Sequence, residues 1–433
     1  MGKLVGAGFI IVTVCTLLRS GASAQSTVRE AAVIFELAQS HCEADAGKLW
    51  GKSLCGPMLL VDRDTRAVFA NQADAEGHLS PAHGIFTGQL PAEINVANTA
   101  VAWAGIRWTM LILPLPADPD LRSLLLLHEM WHRVQNELDF PSTNTSSDHL
   151  DTRDGRYWLQ LEWRALAAAL RTFGRERERA VIDAALFRAR RHQIFPEAVA
   201  TERELEMNEG LAEYTGVKLS GARDLPQFVI AHQLTDGPAQ TTFVRSFAYA
   251  TGPAYGLLLD AVAPDWRRKL RKSDEFSELL LRYSGLALPE NFALEATKRA
   301  DVYAGKQLAV AEDERDLAKQ KRALAYRARL VEGPVLTIPL RKMNMQFDPG
   351  NLVPLESLGS VYPNIRIVDE WGILTVSRGG ALMDSGFTRI TVTAPTDSKA
   401  ATIGGDGWTL ELKPGWSIQR DARAGDYMVG EKK

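Results

Sequence analysis

Cysteine is scarce, with three residues in a chain of 433. That excludes the dense disulfide framework of small secreted scaffolds, and nothing forms a second cysteine pair with which to build a zinc knuckle. Charge of one sign is not in excess either. Lysine and arginine number 50 against 53 acidic residues, a net charge of -3, so composition gives no reason to expect nucleic acid or an anionic membrane as partner. Internal repeats and low-complexity tracts are absent, which excludes a solenoid or a fibrous chain. Long apolar runs are also missing. The longest, Leu4 to Leu18, is shorter than the roughly 20 residues a bilayer span needs.

That run has a different meaning. Lys3 precedes it, and Ala22-Ser23-Ala24 follows as an A-x-A cleavage pattern before Gln25. Residues 1–24 read as a signal peptide, so the chain is expected outside the cytoplasm, periplasmic or secreted, with no stable membrane insertion once the signal is removed. An uncleaved anchor is the alternative. No cysteine stands at the cleavage point, which argues against a lipoprotein. Cys15 leaves with the signal; Cys42 and Cys55 remain, and in an exported protein their even number points to a disulfide rather than two buried thiols.

Periodicity then divides the chain. Val28 to Gln39 has helical apolar spacing. Met58–Val61, Ala67–Ala70, Ile85–Phe86 and above all Gly105–Pro116 read as strands, ended by Pro114 and Pro116, with Asp118 to Asp120 able to cap a following helix. Leu121–Leu138, Tyr157–Thr172, Arg177–Arg191, Glu202–Leu219 and Ala254–Ala261 repeat apolar residues at helical spacing. Residues 293–332 form a long, alanine-rich, mixed-charge stretch, read as a solvated helical connector. From Gly333 the period becomes two, through Val335–Ile338, Ile365–Val368, Ile373–Val376, Arg389–Thr393 and Trp408–Leu412. The expected class is α+β. An N-terminal helix and β-sheet span residues 25–120, a helical part spans 121–292, and an antiparallel β domain spans 333–433.

Chemistry concentrates in the first helix after the strands. Leu127-His128-Glu129-Met130-Trp131-His132 contains H-E-x-x-H inside an amphipathic pattern. Four-residue spacing puts both histidines on one helical face, where their imidazoles can converge on one ion. Glu129 stands beside them, suited to deprotonate a water that zinc has acidified. Two histidines at this spacing also occur as a satisfied pair in a core, so the pattern needs a third ligand. The metzincin solution would need glycine at 135 and histidine at 138; Gln135 and Leu138 exclude it.

Met207-Asn208-Glu209-Gly210-Leu211-Ala212-Glu213-Tyr214 resembles the N-E-G-[FLW]-A-x-Y segment of gluzincin metallopeptidases of the aminopeptidase N type. The resemblance implies a zincin-like catalytic region holding one Zn2+ ion, with His128, His132 and Glu209 as ligands and Glu129 as general base. Glu213, on the same face as Glu209, would be a hydrogen-bond partner of a ligating histidine. Gly210 and Ala212 would let this helix pack closely on the metal helix. Tyr249-Ala250-Thr251-Gly252 resembles the family's Y-x-x-G segment, which gives Tyr249 the role of stabilising the oxyanion, with Tyr255 as the alternative.

The departures are specific. Between His132 and Glu209 lie 76 residues, where the family has a short connection. They include Asp148-His149-Leu150-Asp151, a competing metal site or a polar loop over the cleft. The G-x-M-E-N segment that binds a free amino terminus is missing, so aminopeptidase activity does not carry over. The chain is similar to outlying members with a peptidase MA-like core. Hydrolysis of a peptide or protein substrate is the leading expectation, with Trp103 and Trp108 lining the cleft or packing in the core. A zinc hydrolase of a non-peptide bond and a non-catalytic, zinc-stabilised envelope binding protein are the alternatives.

Overall fold

Why the strands cluster early and late, and the helices between, follows from the switch in period already visible in the sequence. The computed structural model describes residues 15–91, 94–143, 145–235, 242–347, 351–396 and 402–432. The greater part of the signal segment lies outside the described residues. Among the described residues no helix is long and apolar enough to cross a membrane.

The chain divides into two compact units, one reaching to Tyr303 and one made chiefly of Ala304–Lys433 together with Leu150–Tyr157. In the first unit, helix α1 (Cys15–Asp45) precedes strands β1 (Met58–Asp62), β2 (Ala67–Ala70), β3 (Ser80–Ala82), β4 (Ile85–Gln89), β5 (Thr99–Trp103) and β6 (Ile106–Leu113). They form one mixed sheet in the order β3-β4-β2-β1-β6-β5. The β1–β6 pair is parallel, with Leu60 opposite Leu111, and β5 runs antiparallel to β6 as an outer strand. Trp103 and Trp108 both belong to the sheet's buried core, and the Trp108 indole donates to the Trp103 carbonyl. Neither lines the cleft.

Helix α2 (Pro119–Val134) follows, begun by Asp118, whose carboxylate accepts from the backbone N–H groups of Asp120 and Leu121, with proline at its first position. Next come α3 (Arg153–Arg171), α4 (Gly174–Ile194) and α5 (Ala198–Leu205). The stretch read as one helix over Glu202–Leu219 is interrupted by a π turn, Glu206–Gly210, before α6 (Leu211–Leu219). Helices α7 (Leu225–Val229), α8 (Phe247–Val262), α9 (Trp266–Lys269), α10 (Phe276–Ser284) and α11 (Phe292–Ala300) complete the unit.

Much of the segment between His132 and Glu209 is helical, and α3, α4 and α5 are tied together by a buried ionic cluster. Arg188 donates to Glu162, Glu206 and Glu275, and Arg191 donates to Glu162 and Glu202. Glu206 opens the π turn, so Arg188 clamps the start of the segment that carries Glu209. Burial pushes the Glu206 carboxyl up despite the Arg188 charge. Burial would raise Glu202 as well, but Arg191, His149 and His192 overcome it and hold this carboxyl well below its usual range.

The mixed-charge stretch is two separate helices. Helix α11 belongs to the first unit, and α12 (Gly305–Arg327) opens the second. The second unit then carries β7 (Val335–Pro339), β8 (Asn344–Phe347), β9 (Val353–Pro354), β10 (Ser360–Tyr362), β11 (Ile365–Asp369), β12 (Gly372–Val376), β13 (Ala381–Met383), β14 (Arg389–Thr393), β15 (Thr402–Gly405), β16 (Trp408–Leu412), β17 (Trp416–Arg420) and β18 (Tyr427–Glu431). Two sheets, β17-β18-β7-β14-β13-β10-β9 and β15-β16-β12-β11-β8, share one core that includes Leu336, Ile367, Trp371, Leu374 and Ile390. Among the described residues pairing in these two sheets is antiparallel except between β18 and β7. The molecule is thus α+β, with an N-terminal sheet, central helices and C-terminal sheets.

Candidate metal centre

His128 and His132 project from one face of α2, and Glu209 reaches them from the π turn. Ligand atoms of the three residues lie within 4.8 Å of one another. The Nε2 atoms of the histidines are 3.1 Å apart, and Glu209 Oε2 is 3.5 Å from each. Donors about 2.0–2.2 Å from a shared tetrahedral ion stand roughly 3.3–3.6 Å apart, so the spacing suits a metal ion. Two bare imidazole lone pairs this close repel unless a cation sits between them. Burial works against a proton on His128, but Glu209 and Glu213 outweigh it and push its pKa up to about 10. The same carboxylates favour a metal dication.

The outer ring nitrogens are fixed by partners, which sets the tautomers. His128 Nδ1 donates to Glu213 Oε2 at 2.8 Å, and the other oxygen of Glu213 accepts from the Gln233 amide at 2.8 Å. His132 Nδ1 donates to Gln135 Oε1, the Gln135 amide donates to Asn208 Oδ1 at 2.9 Å, and Asn208 donates to Glu209 Oε1 at 3.2 Å. The residue that broke the metzincin pattern therefore links two of the three candidate ligands, His132 and Glu209. Periodicity does not reveal this, because Gln135 lies beyond the last turn of α2 and meets Asn208 only in three dimensions.

Glycines set how closely the carriers approach. A β-carbon on Gly252 of α8 would stand 2.3 Å from the Gly210 backbone, and one on Gly216 would stand 2.7 Å from the Leu124 carbonyl. Gly210 thus packs on α8 and not on the metal helix, as the sequence had suggested; Gly216 makes the close contact with α2. The Gly210–Gly252 crossing brings Tyr249 to the ligands. Its ring lies parallel to His128, 5.4 Å between centroids, and its hydroxyl donates to Glu209 Oε2 at 2.7 Å. Burial and the Glu209 charge raise its pKa well above the ordinary value, so the phenol keeps its proton. Tyr255 is elsewhere: fully buried, donating to Glu162 at 2.8 Å, with the Arg188 guanidinium over its ring. It has no access to the ligands.

Glu129 is buried at the edge of the cluster, and its Oε2 has no hydrogen-bond partner. Burial raises its pKa against the opposing pull of His128 and His132. An orphaned buried acceptor costs free energy and points to a group that would satisfy it, such as a water held by an ion. Glu129, His132 and Glu209 border a cavity of about 230 Å³, walled also by Asn98, Thr99 and Ala100 at the outer strand β5.

Arg133, next to His132, is half-buried. It donates to the carbonyls of Leu54 and Cys55, in space left by Gly56, where a β-carbon would stand 2.5 Å from the guanidinium. Cys42 and Cys55 are joined by a disulfide, with 5.3 Å between Cα atoms. In Asp148-His149-Leu150-Asp151, His149 bonds Glu202, and Asp151 pairs with Arg315 and Lys319. Arg245, which donates to Glu209 Oε1 at 3.2 Å, carries no motif that sequence could flag.

Compared with known proteins, the chain matches no family model, no curated protein and no solved structure.

Proposed function

We propose that the first unit is a zincin-like catalytic region of the gluzincin kind and that the protein is an exported zinc hydrolase of peptide bonds. The observation that carries this is the convergence of His128, His132 and Glu209 on one point beside the unpartnered carboxylate oxygen of Glu129. Two imidazoles and a carboxylate, leaving a further position open, form the donor set of catalytic zinc sites, whereas structural sites are closed by four protein ligands.

Zinc held by His128, His132 and Glu209 would supply Lewis acidity, bringing the pKa of a bound water toward about 7. Glu129 Oε2 is the atom in this chain able to take the proton released and to return it to a departing amine. Burial raises its pKa, which makes this carboxylate a stronger proton acceptor than an exposed one. Tyr249 remains protonated and serves as a donor to charge developing on a carbonyl oxygen. Glu213 and Gln135 hold the imidazoles in the orientation that leaves both Nε2 atoms facing inward. The outer edge of β5 borders the same cavity, and among the described residues no strand pairs with it there, so an extended peptide can add as a further strand.

The test combines metal analysis with substrate profiling. Purified protein dialysed against zinc should hold one ion per chain, and a peptide library incubated with it should return discrete cleavages that a chelator abolishes. Stoichiometric zinc with no cleaved peptide would sink the peptidase reading in favour of a different hydrolysed bond or a binding role.

A further inference from the structure

Away from the ligands the cavity is walled by hydrogen-bonding groups: Asn98, Thr99, Arg107, Ser142, Thr143 and Arg245. An apolar side chain placed there would strip water from these groups and return nothing. The two arginines give the wall its sign. Arg245 is oriented by two bonds, Nη1 to the Thr145 carbonyl at 3.0 Å and Nη2 to Glu209 Oε1 at 3.2 Å, and its side chain is 37% exposed. Arg107 is tethered through Nε to the Arg133 carbonyl at 3.1 Å, which aims its guanidinium without using the terminal nitrogens. A bound dication would offset the charges of Glu129 and Glu209, and Glu213 lies behind His128 outside the cavity lining, so Arg107 and Arg245 are the cationic side chains that face the substrate. A guanidinium fork matches a carboxylate geometrically as well as electrically.

We propose that the site selects substrates presenting a carboxylate beside the scissile bond, with Arg245 as the specificity-determining residue and Arg107 alongside. This rests on the hydrolase reading above and adds to it the class of substrate. The carboxylate has two sources, an acidic side chain or the free C-terminus of the peptide.

The experiment uses the zinc-loaded full chain and fluorogenic peptides matched in pairs: glutamate against glutamine at each position flanking the cleaved bond, and C-terminal acid against C-terminal amide. One pair should show a kcat/KM about tenfold to hundredfold higher for the acid member, the range expected for one charge-assisted hydrogen-bonded contact, and which pair it is identifies the source. R245Q should bring that ratio close to one, chiefly through KM, and R245K should restore part of it. Calorimetry with the zinc-loaded E129Q protein should show the same preference in binding. Should R245Q fail to hold zinc, R107Q, whose residue touches no ligand, carries the test, with a ratio reduced severalfold. Equal handling of every pair overturns the proposal, and so does a preference unmoved by the arginine substitutions, which would place the carboxylate on the metal. If no peptide is cleaved but acid-over-amide binding in E129Q depends on Arg245, the peptidase reading fails and this inference stands.

Discussion

Glu213 accepts the Nδ1 proton of His128 at 2.8 Å, a bond between residues 85 positions apart in the chain. It sets the direction of the Nε2 atom that faces Glu209 and His132. Glu213→Ala should therefore weaken zinc binding by about 10–100-fold, the usual cost of losing a partner that orients a ligand. Competition titration with a chromophoric chelator measures it; an unchanged affinity would show that Glu213 merely fills space.

Glu129 tests the chemistry apart from the metal. E129Q keeps the size and burial of the side chain and removes its capacity to accept a proton. Zinc content should remain at one ion per chain while hydrolysis falls by at least about a hundredfold, the contribution of a positioned general base. Metal analysis and peptide turnover on one sample give both answers, and full turnover in this variant would remove the base assignment.

Gly252→Ala addresses the crossing that delivers Tyr249. The added carbon would stand 2.3 Å from the Gly210 backbone, with no flexible side chain to yield. Separation of α8 from the π turn should cost about 1–3 kcal/mol, as overpacking does, and weaken zinc binding because Glu209 moves with Gly210. Urea unfolding and metal titration would report the two effects; a variant unaltered in both would mean that the helices separate freely.

Removal of the Cys42–Cys55 disulfide by a double serine substitution should lower stability by about 2–3 kcal/mol, given the sequence separation of 13. Arg133 holds the carbonyls of Leu54 and Cys55, so the loop is tied to the metal helix as well as to α1. Urea midpoints of the two proteins decide the matter, and equal midpoints would show that Arg133 alone orders the loop.

Acid stability follows from Glu202. Its folded pKa is depressed by Arg191, His149 and His192 acting against burial, so its contribution is present above the unfolded value of about 4.3 and is lost as pH falls below it. E202Q removes that titration. The variant should be less stable at pH 7 and should lose stability less steeply between pH 5 and pH 3 than the parent. Parallel slopes in urea midpoints across this window would exclude Glu202 as a source of the acid sensitivity.

The chain's local chemistry made much of this legible in one dimension. Apolar period separated strands from helices, and H-E-x-x-H marked the metal helix because four-residue spacing maps onto a single face. The N-E-G-L-A-E segment supplied a third candidate ligand through its resemblance to a known pattern, and the structure brings that side chain to the histidines. What the sequence could not carry depends on contacts between distant segments. Glu206, which opens the π turn Glu206–Gly210, is held by Arg188 from α4, and the partner of Gly210 is α8 because Gly252 faces it. Gln135, Arg245 and the separation of Tyr249 from Tyr255 likewise follow from packing. Spacing along a helix is a local property and survives in the sequence; which helix meets which, and how closely, is decided only when the chain is folded.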